Sequence, residues 1–127
     1  MNKRIRAIEL DMIDSINASA RSCFPQEFLC VLNAEDGIID GFMILPGTVF
    51  GDTHSTILPW MAPHDLSIVG SAHSHPGHSN EPSDADLNFF SNYGGVHIIT
   101  CLPFDRKSWR AYDPLGREIK LDIVDSI

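Results

Sequence analysis

An apolar run over residues 66–72 leads into His73-Ser74-His75-Pro76; Ser83 comes eight residues after His75, and Asp86 three after that. The run has the length and character of a buried strand. Side chains alternate along a strand, so His73 and His75 share a face while Ser74 points away. Pro76 stops the strand, and residues 77–82 read as a loop. Ser83 is placed to N-cap a helix, with Leu87, Phe90 and Tyr93 at helical spacing and Gly94-Gly95 ending the element. Ser83 and Asp86 then fall in the same first turn. A strand end with two imidazoles and a helix start with a carboxylate supply three N/O ligands. That is the number found in catalytic zinc sites, whose fourth position is left to water.

Each half of this pattern also has an ordinary explanation. Ser-x-x-Asp before an apolar run is a capping box, with Asp weaker than Glu or Gln at its third position. His-x-His pairs occur on surface strands without metal. Structure alone does not require one pair to accompany the other, and their joint occurrence favours a site. Ser83 can do both jobs, accepting from a backbone N–H while donating its own proton elsewhere.

The whole stretch resembles the signature of the JAMM (MPN+) metalloproteases, and His73, His75, Ser83 and Asp86 meet every position of it. The likeness runs from about residue 20 to the C-terminus and looks closest to the short archaeal members. It implies an α/β fold of the three-layer, cytidine-deaminase-like kind, a mixed sheet flanked by helices. It implies Zn2+ held by His73, His75 and Asp86, with Ser83 serving the oxyanion. The reaction implied is hydrolysis after the C-terminal glycines of a ubiquitin-like protein. For the base, spacing leaves Glu27, Glu35, Asp36 and Glu81 open. In the family the upstream glutamate follows the first helix, and Pro25-Gln26-Glu27-Phe28 resembles that position, which assigns Glu27. His78 reads as an exposed loop histidine, since a fourth protein ligand would close the site.

The chain has no room for the two insertions with which the chain-specific eukaryotic deubiquitinases hold ubiquitin. The resemblance therefore favours a small archaeal modifier or a sulfur-carrier protein and its conjugates as partner, its tail held by strand addition. Processing of a sulfur-carrier tail is the enzymatic alternative. A catalytically silent MPN binding domain is the competing class, although silent relatives generally lack the ligands present here. The H-x-E and P-C-x-x-C signature of zinc deaminases is absent.

At 127 residues the chain reads as one domain, residues 1–127, with enough length for a single core. A net charge of −8 argues against a nucleic-acid partner, which needs a basic face. No apolar run has the length of a membrane span. Lys3, Arg4 and Arg6 are followed by Glu9 and Asp11 where a signal peptide needs its apolar segment, so a cytoplasmic location is expected. Cys23, Cys30 and Cys101, odd in number and without C-x-x-C, fit buried thiols in a reducing compartment. Oligomeric state has no sequence signal.

Elsewhere, residues 1–10 fit either a helix or a short edge strand. Asp11 is placed to cap a helix with Met12, Ile13, Ile16, Ala20 and Cys23 on its apolar face, closed by Pro25. Residues 28–32 and 38–45 form a hairpin about Asp36-Gly37. Residues 48–65 are the least legible, with a possible strand at 55–58, and His54 and His64 read as surface residues. Residues 96–102, 108–112 and a last strand through Ile119, Leu121 and Ile123 read as an antiparallel meander, with His97 structural.

Overall fold

A computed structural model describes residues 4–44 and 68–125. The possible strand at 55–58, His54 and His64 lie outside the described residues. The order is β1 (Ala7–Glu9), α1 (Leu10–Cys23), β2 (Leu29–Glu35), β3 (Ile38–Ile44), β4 (Ile68–Ser74), α2 (Asp84–Tyr93), β5 (Val96–Thr100), β6 (Trp109–Tyr112), β7 (Glu118–Ile119) and β8 (Asp122–Val124). The strands form one mixed sheet in the order β7-β6-β5-β4-β2-β3-β1-β8.

Strand alternation shows which helix covers which face. Phe28, Cys30, Leu32, Ile98 and Ala111 pack in one cluster with Ile13, Ile16 and Ala20 of α1. Their neighbours Leu29, Val31, Ile99 and Tyr112 pack in a second cluster with Phe89 and Phe90 of α2. Successive strand residues face opposite ways, so the two helices lie on opposite faces of the sheet. This is an α/β fold of the expected class, a mixed sheet between helices.

Several local expectations change. The open N-terminal segment is a strand, and β1 is internal, paired in parallel with both β3 and β8. Helix α1 starts at Leu10 with Glu9 in the N-cap position, so Asp11 is not the cap. Asp11 instead lies in the first turn, where its charge suits the helix dipole. Asn17 joins the buried stripe of α1: its amide donates to the Asp105 carbonyl at 2.9 Å and its oxygen accepts from Thr100 Oγ1 at 2.6 Å. The hairpin is as expected, with Asp36 and Gly37 both at positive φ (54° and 79°), as a two-residue type I′ turn requires.

In α2 the buried residues are Asp86, Phe89 and Phe90; Leu87 is exposed and lies against the turn at Gly116. The expected stripe was displaced because the helix turns Asp86, not Leu87, inward.

The final strand also divides. β7 extends the meander beside β6, antiparallel, whereas β8 joins β1 at the far end of the sheet. Only Lys120 and Leu121 separate the two strands. Three residue steps span at most about 10 Å, whereas a flat sheet of this many strands would hold its edges roughly 34 Å apart. The sheet must therefore curl until its edges nearly meet. No helix among the described residues is long and apolar enough to cross a membrane.

His97 of β5 is structural, as expected. It stacks on Phe90 with ring centroids 4.4 Å apart, its Nδ1 accepts from Ser71 Oγ at 2.7 Å, and its Nε2 donates to the Gly94 carbonyl. Burial pushes its pKa down to about 4 against the partial opposition of the Gly94 bond, with the nearby His73 lowering it further. A histidine depressed from 6.5 stabilises the fold fully above pH 6.5, and that contribution is lost as the pH falls through 4. The loss should be about 3 kcal/mol by pH 4. Chemical denaturation between pH 7 and pH 4 should show this extra proton uptake on unfolding, and His97→Gln should lose it whatever its stability at pH 7.

Candidate metal centre

β4 lies between β2 and β5, so both sides of the histidine-bearing strand are hydrogen bonded. His73 pairs across the sheet with Leu29 and Ile99, both members of the cluster beneath α2. It therefore faces α2, with its ring 6.4 Å from that of Phe90. His75, two residues on, shares that face at the strand end, and the N-terminus of α2 meets it there.

Three ligand side chains converge at this junction. Nε2 of His73 is 3.2 Å from Nε2 of His75 and 3.1 Å from Oδ1 of Asp86, and Nε2 of His75 is 3.0 Å from Oδ2 of Asp86. Among the described residues these three form a group able to hold a metal ion. Ligand atoms at 2.0–2.1 Å around a tetrahedral zinc are about 3.3 Å apart. The observed separations are close to that, and two imidazole nitrogens with one carboxylate suit Zn2+. The residues fit the ion.

Two of the three ligands, His75 and Asp86, are held from behind. His75 Nδ1 lies 3.0 Å from the Ser79 carbonyl. A carbonyl can only accept, so Nδ1 carries a proton, and loss of the proton that Nε2 shares with Asp86 would free the Nε2 lone pair for a metal. The loop carrying Ser79 is tied in turn: Asn80 donates to the Ser108 carbonyl at 3.0 Å, Tyr112 O–H donates to the Asn80 carbonyl at 2.8 Å, and Leu102 N–H reaches Gly77. No spacing rule pointed to these loop anchors, which come from the β5–β6 connection and from Tyr112 of β6.

Asp86 is fixed by the helix start. Ser83 N–H donates to Asp86 Oδ2 at 2.9 Å, and Asp86 N–H donates to Ser83 Oγ at 3.1 Å, a complete capping box. The capping and site readings of this motif are thus realised in the same atoms. Burial pushes the Asp86 carboxyl up, but hydrogen bonds from both histidines and from the Ser83 amide outweigh it and hold the group well below the usual carboxylate range. The Asp86 bond raises the pKa of His75, burial opposes it, and the charge of Glu27 adds to the rise.

Glu27 stands outside the ligand group but beside it. The β2–β4 register pairs Leu29 with His73, and Phe28 and Ser74 continue it through two hydrogen bonds. The next residue back is Glu27, close enough for its charge to act on His75. Glu35 is at the far end of β2 and Asp36 in the hairpin turn. Glu81 and His78 lie exposed in the loop, and neither belongs to the ligand group.

Comparison with known proteins agrees with this geometry. Residues 9–112 match the family of prokaryotic homologs of the JAB domain. A probable metalloprotease of Haloferax volcanii is 31% identical over 98% of this chain and 83% of its own length. A solved structure of a JAMM metalloprotease-like zinc site in the proteasome and signalosome is similar at TM-score 0.76 and 30% identity, covering 95% of this chain and 99% of that one. A Jab1/MPN-domain protein from Archaeoglobus fulgidus is similar at TM-score 0.78 and 31% identity, covering 94% and 99%.

Purified protein should carry about one zinc per chain by elemental analysis. Asp86→Asn keeps an oxygen for the cap but removes the charge. It should fold while losing more zinc affinity than the roughly 10–100-fold that an outer-shell change costs.

Proposed function

The chain belongs to the JAMM metalloprotease family, among the prokaryotic homologs of the JAB domain, and on that premise we propose that it is a zinc-dependent isopeptidase acting after the C-terminal Gly-Gly of small ubiquitin-like modifiers. One observation carries the reading: the three ligands and the Ser83 hydroxyl meet where a strand end and a helix start converge, with the charge of Glu27 close enough to act on His75. The substrate is drawn from the family and from a chain too short for dedicated ubiquitin-holding insertions. A small archaeal modifier or a sulfur-carrier protein, through its conjugates, is the partner this favours.

Zinc held by His73, His75 and Asp86 would supply Lewis acidity, which makes water nucleophilic near neutral pH. The protein's own groups do the rest. Glu27 takes a proton from the attacking water and delivers it to the departing amine, a role that needs reach rather than ligation. Ser83 Oγ accepts from the Asp86 amide, which leaves its own O–H to donate to the oxyanion of the tetrahedral intermediate. Asp86, depressed in pKa, keeps its charge throughout the working range.

Glu27→Gln is close to isosteric and should keep zinc, fold and substrate binding while slowing turnover by at least about 10²–10⁴-fold. Glu35→Gln and Asp36→Asn should cleave at the wild-type rate. If Glu27→Gln matched wild type, the base would be another residue.

Ser83→Ala should retain zinc, lower turnover roughly 10²–10³-fold, and cost about 1 kcal/mol through the lost cap. A change in stability alone would leave Ser83 only its capping role.

With Gly-Gly-tailed fusions and isopeptide conjugates as substrates, cleavage should follow the second glycine and show little preference among ubiquitin chain linkages. Cleavage confined to linear tail extensions would instead favour sulfur-carrier processing.

A further inference from the structure

The β2–β4 ladder ends at the pair Leu29 and His73, yet Phe28, the residue just before β2, is also held against β4. Ser74 N–H donates to the Phe28 carbonyl at 3.0 Å, as an antiparallel pair should. The reciprocal N–H of Phe28 donates to the Ser74 side chain, Oγ, at 2.8 Å. Both residues are buried, Ser74 at 2% and Phe28 at 0% exposure. This hydroxyl therefore takes the place of a ladder carbonyl at the last anchored residue before Glu27.

We infer that Ser74, the residue between the two histidines, is a positioning residue that sets where the Glu27 carboxylate stands relative to the metal ligands. The Ser74 side chain lies on the face away from His73 and His75, where it has no place among the ligands. Its bond instead fixes the backbone of Phe28, and the next residue back, Glu27, is close enough for its charge to act on His75. One strand thus carries the two histidines on one face and, on the other, the group that aligns the base. The inference rests on Glu27 acting as the proton carrier.

Ser74→Ala leaves the Phe28 amide without its acceptor. The variant should keep one zinc per chain and an unchanged KM, with kcat lower by up to roughly 10²-fold, the scale of a misplacement of about 1 Å. Two comparisons separate positioning from general damage. Ser74→Thr, which keeps the oxygen, should restore kcat, whereas Ser74→Cys, which keeps the volume but offers only a weak acceptor, should not. In a Glu27→Gln background, Ser74→Ala should cost less than about threefold more, because the group it aligns is already gone. Apart from activity, hydrogen exchange of the Phe28 amide in metal-free protein should be slow in wild type and Ser74→Thr, and fast in Ser74→Ala and Ser74→Cys.

Full activity in Ser74→Ala, loss of its zinc, or a fully additive loss in the double variant would overturn the role of Ser74 while leaving Glu27 in place. A Ser74→Cys variant equal to wild type would do the same. A Glu27→Gln variant active at the wild-type rate would instead overturn the base assignment beneath it.

Discussion

A carboxylate buried to 7% exposure is tolerated only when its lone pairs are taken up by donors, and Asp86 meets that condition with a helix amide and two histidines. The rest of the site depends on this. Because Ser83 N–H takes one carboxylate oxygen, the side chain cannot swing away from the helix start without breaking the cap. Because Ser83 Oγ receives the Asp86 amide, the first turn of α2 is closed from both ends. A structural device common at helix starts thereby fixes the direction in which a ligand oxygen points.

The histidines are held with comparable rigidity from a different source. β4 has a partner on each side, and His73 stands over the aromatic cluster that anchors α2 to the sheet. Within that cluster Phe90 stacks on His97, and Phe89 packs edge-on to the same ring. The helix that supplies Asp86 is therefore seated by residues three and four positions along from it. Packing beneath the sheet surface and ligand placement at its rim are one arrangement, since rotating α2 to expose Phe90 would withdraw Asp86 from the histidines.

Much of this was legible in the residues. Strand alternation put His73 and His75 on one face, and the cap signal at Ser83 located the helix start that brings Asp86. The hairpin followed from Asp36-Gly37, and α1 from its periodic Ile13, Ile16 and Ala20. Where reading failed, a tertiary partner had overridden a local signal. Leu87 looked like core and is exposed, because the helix face is chosen by Asp86 meeting imidazoles. Asn17, which the apolar spacing of α1 passes over, is buried, because Thr100 and Asp105 satisfy it. The last strand looked continuous and is divided, because the curled sheet brings β1 within reach of the chain after Ile119.

The residues alone determined which chemistry the chain carries and which side chains share a strand face or a helix turn, since those follow from repeats of two and of 3.6 residues. They also determined the family, through four motif positions within a span of 14 residues. What only the tertiary structure decided is convergence: that α2 seats its first turn against the end of β4, that a loop from residue 77 to 82 is tied down by Ser108 and Tyr112, and that Glu27 comes close enough for its charge to act on His75. These contacts join residues distant in sequence, through registers and loop anchors that no local periodicity encodes. They are set by how the sheet curls and which strands it makes neighbours.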